Sequence, residues 1–189
     1  MKRALSLVIP ILILIVSCSK EKSLEILSTN PTPPGGGGGG TAQYHFSAKV
    51  DGVAKTFNVE MGVVKFDTLG ASNYVLFGYA TDDPNDAEAM LVALTKQGSL
   101  VPGTYAVNNF ATTLTSVTAA YYPQDTTKQY YTFPGDTSSD PFTVIVTEVT
   151  ATDISGTFKG KIFLSDGITP NPTGPSVTIT EGSFKAKFL

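Results

Sequence analysis

The stretch that decides the fold is Tyr44-His45-Phe46-Ser47-Ala48-Lys49-Val50-Asp51-Gly52-Val53. Tyr44, Phe46, Ala48 and Val50 alternate with His45, Ser47, Lys49 and Asp51. A period of two is that of a strand with one face buried and one face wet. Asp51-Gly52 is a favoured two-residue hairpin turn, so 53–61 is predicted to return antiparallel. The series continues through 63–66, 73–80, 104–107, 115–122 and 129–133. Segment 142–149 is rich in β-branched residues and reads as a strand buried more deeply than the others. In 154–164 the alternation is clean, with Phe158, Gly160 and Ile162 against Thr157, Lys159 and Lys161.

Two segments need a choice. At the end of the chain Val177 and Ile179 are odd, whereas Phe184, Ala186 and Phe188 are even. One extra residue near Glu181-Gly182 would bring both sets to a single face, so a bulge or sharp bend is predicted there. In 84–96, Pro84 after an Asp and the spacing of Ala87, Met90, Leu91 and Leu94 suit a helix. Met90, Val92 and Leu94 also form one face of a strand. The strand is preferred because a surrounding sheet overrides local propensity. The predicted architecture is all-β: a single antiparallel β-sandwich or flattened barrel of about 8–10 strands.

Composition narrows the chemistry. Of 189 residues, 41% are hydrophobic and 15% charged, a balance suited to a packed domain. Cys18 is the one Cys and His45 the one His. Internal disulfides, thiolate clusters and multi-histidine metal sites therefore have no ligands, and no motif implies a cofactor. Arg3 is the one Arg, and beyond it Asp and Glu outnumber Lys. A chain with no guanidinium fork and a negative balance is expected not to bind nucleic acid.

The N-terminus is the most informative part. Lys2 and Arg3 precede an apolar run over 4–16. Thirteen residues fall short of the roughly 20 needed to span a bilayer but suit the core of a signal peptide. Ile15-Val16-Ser17-Cys18 resembles the lipobox of bacterial lipoproteins. That resemblance implies cleavage of 1–17 and acylation of Cys18, for example with palmitate. Two or more acyl chains, at about 0.8 kcal/mol per buried methylene, hold a protein durably on a membrane. Cys18 would then be an anchor and the membrane a partner. Ser19 is not the Asp that resembles an inner-membrane retention signal, which points to the outer membrane. Ser19-Lys20-Glu21-Lys22 is similar in part to a surface-export signal and reads equally as a solvated charge run, so the periplasmic and cell-surface sides both stay open. The lipidated Cys and the Pro/Gly-rich segment, 18–40, read as a tether spanning roughly 25 Å as a coil, followed by the β domain at 41–189.

Four pieces, HFSAKVDGVAKTFN at 45–58, VPGTYAVNN at 101–109, ISGTFKGKI at 154–162 and ITEGSFKAKF at 179–188, together resemble small Bacteroidetes-type outer-membrane lipoproteins of unknown function. The resemblance implies location and architecture and carries over no catalytic residue.

Candidate sites are few. His45 has the pKa of a general base, but the alternation turns it away from the core and no nucleophile pattern stands beside it. Asp82, Asp83, Asp86 and Glu88, and more weakly Asp136 and Asp140, offer the hard oxygens that Ca²⁺ takes. They lack the central Gly of an EF-hand, and Pro84 interrupts the first group, so both read as solvated acidic turns. Glu60, Asp67 and Glu148 lie on strands and would need to converge within roughly 5–10 Å for glycoside hydrolysis. Tyr121-Tyr122 and Tyr130-Tyr131 bracket a polar loop. In a hairpin, one Tyr of each pair would face inward and the other outward, the outward two making a stacking platform for a sugar or an envelope protein. The reading is of a non-catalytic binding or structural module. The alternatives are a lipocalin-like carrier with an apolar interior and, third, a hydrolase.

Overall fold

A computed structural model describes residues 44–68, 70–83, 88–107, 115–125, 127–134, 136, 138–167 and 169–189. The leader, Cys18, the tether and Asp86 lie outside them. Eleven strands are described: β1 His45–Val50, β2 Val53–Thr56, β3 Val59–Thr68, β4 Ala71–Tyr79, β5 Ala89–Gln97, β6 Gly103–Ala106, β7 Thr115–Tyr122, β8 Tyr130–Tyr131, β9 Thr143–Val149, β10 Asp153–Leu164 and β11 Ser176–Lys187. They form one antiparallel sheet in the order β2-β1-β11-β10-β8-β7-β5-β4-β3, with β9 also on β10 and β6 on β9. The sheet curls into a half-barrel, and among the described residues no helix occurs.

β10 is the spine. One edge of it pairs with β11. The other edge meets two partners end to end, β9 along 154–159 and β8 at Phe163 and Leu164. The curl comes from close backbone approach on the concave side. A Cβ on Gly160, whose φ is 135°, would lie 2.3 Å from the Phe142 Cα, and one on Gly156 would lie 2.2 Å from the Ile145 carbonyl oxygen. Only glycine fits such contacts. The space gained is taken by aromatic rings, with Phe158 centred 6.1 Å from Phe142 and 6.4 Å from Phe184.

The predicted bulge is present. Glu181 has φ 51°, and β11 slips register against both neighbours: Phe158 faces Gly182 while Gly160 faces Ile179. Val177, Ile179, Phe184 and Ala186 thereby all reach the core. Segment 89–97 is a strand, with Met90, Val92 and Leu94 buried. Residues 84–87 lie outside the described set.

Two expectations need correcting. The segments 53–61 and 63–66 are divided differently, into β2 and a ten-residue β3. The break falls at Phe57-Asn58, where the Phe57 N–H donates to the Phe46 carbonyl at 2.7 Å and Asn58 Oδ1 accepts the Phe46 N–H at 2.7 Å. A side chain thus replaces the next rung of the ladder, and Phe57 enters the core at 0% exposure. β9 is not buried on both faces. Val144 and Val146 are covered but Ile145 is 42% exposed, because among the described residues no layer packs outside the sheet there.

The curl brings the last residues back to the far edge. The Leu189 N–H donates to the Val63 carbonyl at 3.0 Å, and Phe188 forms an isolated bridge with Val63. The concave face is filled: Phe46 lies 5.5 Å from both Phe57 and Phe158, within a cluster drawing on β1, β3–β7 and β9–β11. At about 1.5–3 kcal/mol for each large apolar side chain buried, this cluster dominates the stability.

Candidate functional site

β7 and β8 form the hairpin on which the tyrosine pairs sit. Tyr121 faces Tyr130, and Ala120 faces Tyr131. The pairing is locked just beyond β8, where the Thr132 N–H donates to the Ala119 carbonyl and Thr132 Oγ1 accepts the Ala119 N–H. Neighbouring residues on a strand take opposite faces, so each pair splits as the alternation predicted.

Tyr121 goes inward and is 5% exposed. Its ring packs 6.4 Å from Phe57 and 6.3 Å from Tyr130, and its hydroxyl donates to Glu88 Oε1. The Glu88 carboxylate also takes the Lys55 ammonium, 3.0 Å from each oxygen. Three elements thus meet at one buried carboxylate: the end of β2, the approach to β5, and β7. Burial holds the Tyr121 phenol far above its ordinary pKa, and the hydrogen bond to Glu88 and its negative charge push the same way.

Tyr122 and Tyr131 go outward and are half-buried. Their rings meet edge to face, 5.9 Å apart at 88°, with hydroxyl oxygens 3.0 Å apart. Tyr131 spends its single proton on Gln129 Oε1 at 2.8 Å, so Tyr122 donates and Tyr131 accepts. Desolvation first, and then the bond to Tyr131, raise the Tyr122 phenol well above its usual range. The outward pair is a fixed, neutral aromatic corner that can stack on a flat ligand and offer hydroxyls to it.

The other candidates do not assemble into a site. His45 sits on the outer side of β1, in register with Lys185. Asp82 and Asp83 are exposed, whereas Glu88 turns inward to Lys55 and Tyr121. Asp136 Oδ1 accepts the Ser138 N–H at 2.8 Å, and Asp140 is exposed. No group of three metal-ligating side chains occurs among the described residues. Glu60 and Asp67 stand near opposite ends of β3. Seven residues at about 3.3 Å each put them roughly 23 Å apart along the strand, too far for paired carboxylate catalysis. Asp67 accepts a bond from Ser72 at 2.7 Å, and Glu148 sits opposite Ser155.

Sequence reasoning missed Tyr79, which is 38% exposed and lies in one row with Ala89 and Tyr122 across β4, β5 and β7. Its signal was the alternation of Asn73, Val75, Phe77 and Tyr79 against the buried Tyr74 and Leu76. A groove of about 300 Å³ lies elsewhere, at the β11 bulge, between Thr143, Ile145, Thr157, Lys159, Glu181 and Ser183 with Phe158 and Gly182 as floor. Its walls are mostly exposed side chains, unlike the Phe- and Leu-lined interior that a carrier requires. No family model matches this chain, and no curated protein and no solved structure matches it either.

Proposed function

We propose that this chain is a lipid-anchored protein of the bacterial outer membrane, akin to the small Bacteroidetes-type lipoproteins, whose half-barrel is a non-catalytic binding or assembly module. The observation that carries the reading is the position of Cys18. The one Cys of the chain follows a short apolar run and Ser17, where a lipobox needs it. A sulfur there serves attachment, since acyl chains on it hold the protein at a bilayer through buried methylenes.

The binding half of the reading is supported by the outward tyrosine corner at Tyr122 and Tyr131, held in place by two hydrogen bonds, Tyr122 to Tyr131 and Tyr131 to Gln129. A filled concave face favours contact at the outer surface over a carrier. Growth with radiolabelled palmitate tests the anchor. Label is expected on the exported chain and lost in Cys18→Ser, which should move from the outer-membrane fraction to the soluble one. An unlabelled wild type, or a Cys18→Ser chain that fractionates identically, would overturn the proposal.

A further inference from the structure

The outer surface of the half-barrel has two characters. On β1, β10 and β11 it carries Lys49, Lys159, Lys161, Lys185 and Lys187, with Glu181 and Asp153 bonded to two of them. On β4, β5, β7 and β8 the outward set is Asn73, Val75, Phe77, Tyr79, then Ala89, Leu91, Ala93, Thr95, then Ser116, Thr118, Ala120, Tyr122, and Tyr131. Not one of these is charged.

Within that neutral face the row Tyr79, Ala89, Tyr122 has a particular shape. Directly paired residues on antiparallel strands share a face, so two phenol rings flank a methyl group. Two strand spacings put the tyrosine backbones about 9.5 Å apart. Tyr122 is held on its other side by Tyr131, which packs against it edge-on and accepts its hydrogen bond. The next row inward, Phe77, Leu91 and Ala120, extends an apolar floor. The result is a slot with aromatic walls, a small-residue base and a rim of hydroxyl and amide groups from Tyr79, Tyr122, Tyr131 and Gln129.

We propose that this slot binds a neutral carbohydrate, one sugar ring lying between Tyr79 and Tyr122 over Ala89, with its hydroxyls reached by Tyr131 and Gln129. The inference rests on the binding-module reading above and gives that module its ligand class. The chemistry favours a sugar over a lipid surface. A pyranose presents an apolar ring face together with hydroxyls, which is what the walls and rim offer. The apolar rows are shallow and half-covered, with little area to immerse in a bilayer, and the lysines that would meet anionic headgroups lie on other strands. The outward residues described on these strands are uncharged, which favours a neutral ligand over an acidic one. A wall already fixed by Tyr131 lowers the ordering cost of binding.

The chain has no Trp and eight Tyr, so a change in tyrosine emission that is lost in the Tyr79 and Tyr122 variants reports on the slot. The full chain, purified in detergent, is titrated with cellohexaose, maltohexaose, xylohexaose and mannohexaose, and with hexagalacturonate as the acidic counterpart. Saturable binding of at least one neutral hexasaccharide is expected, insensitive to NaCl. Tyr79→Ala and Tyr122→Ala should each weaken it by about tenfold, the loss of one stacked ring. Tyr79 is exposed, so its variant remains informative if Tyr122→Ala fails to fold. No saturable binding to any neutral probe, a preference for hexagalacturonate, or undiminished binding in Tyr79→Ala would overturn the proposal. So would Cys18→Ser chain that binds phosphatidylcholine vesicles and loses them in a Tyr79→Ala background, because the face would then be a lipid contact. Palmitate labelling without sugar binding removes this inference and leaves the anchor standing; sugar binding without labelling does the reverse.

Discussion

Replacing Tyr121 by Phe removes one oxygen from the middle of the molecule and leaves the ring. Packing against Phe57 and Tyr130 survives, so the change isolates the hydrogen bond to Glu88. That bond ends on a carboxylate that is 10% exposed and has Lys55 as its other partner. A hydrogen bond to a charged group contributes about 1.5–3 kcal/mol, and Lys55 stays to balance the charge, so a loss of about 2 kcal/mol is expected. Tyr122→Phe on the same strand is the control. It removes a neutral hydroxyl pair at a half-buried site, for which about 0.5–1 kcal/mol is the appropriate range.

Urea unfolding followed by tyrosine emission measures both. With a slope of about 2 kcal/mol per molar, Tyr121→Phe should lower the midpoint by about 1 M and Tyr122→Phe by less than half of that, with slopes unchanged. In thermal unfolding the same loss lowers Tm by about 4–8 °C. A Tyr121→Phe protein no less stable than Tyr122→Phe would refute the reasoning. The carboxylate would then be satisfied by Lys55 and water, and the three-element junction would hold nothing together.

Two further outcomes follow from the geometry. Gly160→Ala puts a methyl group 2.3 Å from the Phe142 Cα at φ 135°, and no side-chain rotation relieves a backbone clash. It should leave no cooperative unfolding transition by circular dichroism, whereas Gly98→Ala, with φ 77° and open space around it, should cost only about 1–2 kcal/mol. Alkaline pH should destabilise the fold through Tyr121 and Tyr122, whose phenols are both raised in the native state. Stability is level below the unfolded phenol pKa near 10 and falls above it, because the unfolded chain ionises there and the native one does not. Each tyrosine adds a slope of at most about 1.4 kcal/mol per pH unit, so either Phe variant should flatten the alkaline limb of a stability profile by about half.

Much of the fold was legible because strand alternation is a local property. The odd-to-even switch between Ile179 and Phe184 could be reconciled with one buried face only by an extra residue, and the structure spends Glu181 on it. The break after Thr56 was not legible. Val53, Lys55, Phe57, Val59 and Met61 keep one parity throughout, and what ends β2 is Asn58 accepting the N–H of Phe46, twelve residues away. β9 misled in the opposite direction. Its β-branched residues suit any strand, so composition spoke for burial on two faces where the sheet order provides cover on one.

The candidate site divides along the same line. Alternation correctly sent Tyr121 and Tyr122 to opposite faces, yet it could not tell either of them its neighbours. Glu88 looked like the last member of an acidic turn, and its real partners, Lys55 and Tyr121, each stand 33 residues from it in sequence. Tyr79 was passed over because nothing near it in the chain is aromatic on its own face except Phe77. Only the order β4-β5-β7 sets it across Ala89 from Tyr122. A period of two assigns each side chain a face, and the pairing of strands then assigns it a company; a surface made from single residues of successive strands belongs to the second step, which is why Tyr122 could be given its face in advance and could not be given Tyr79 as its neighbour in the row.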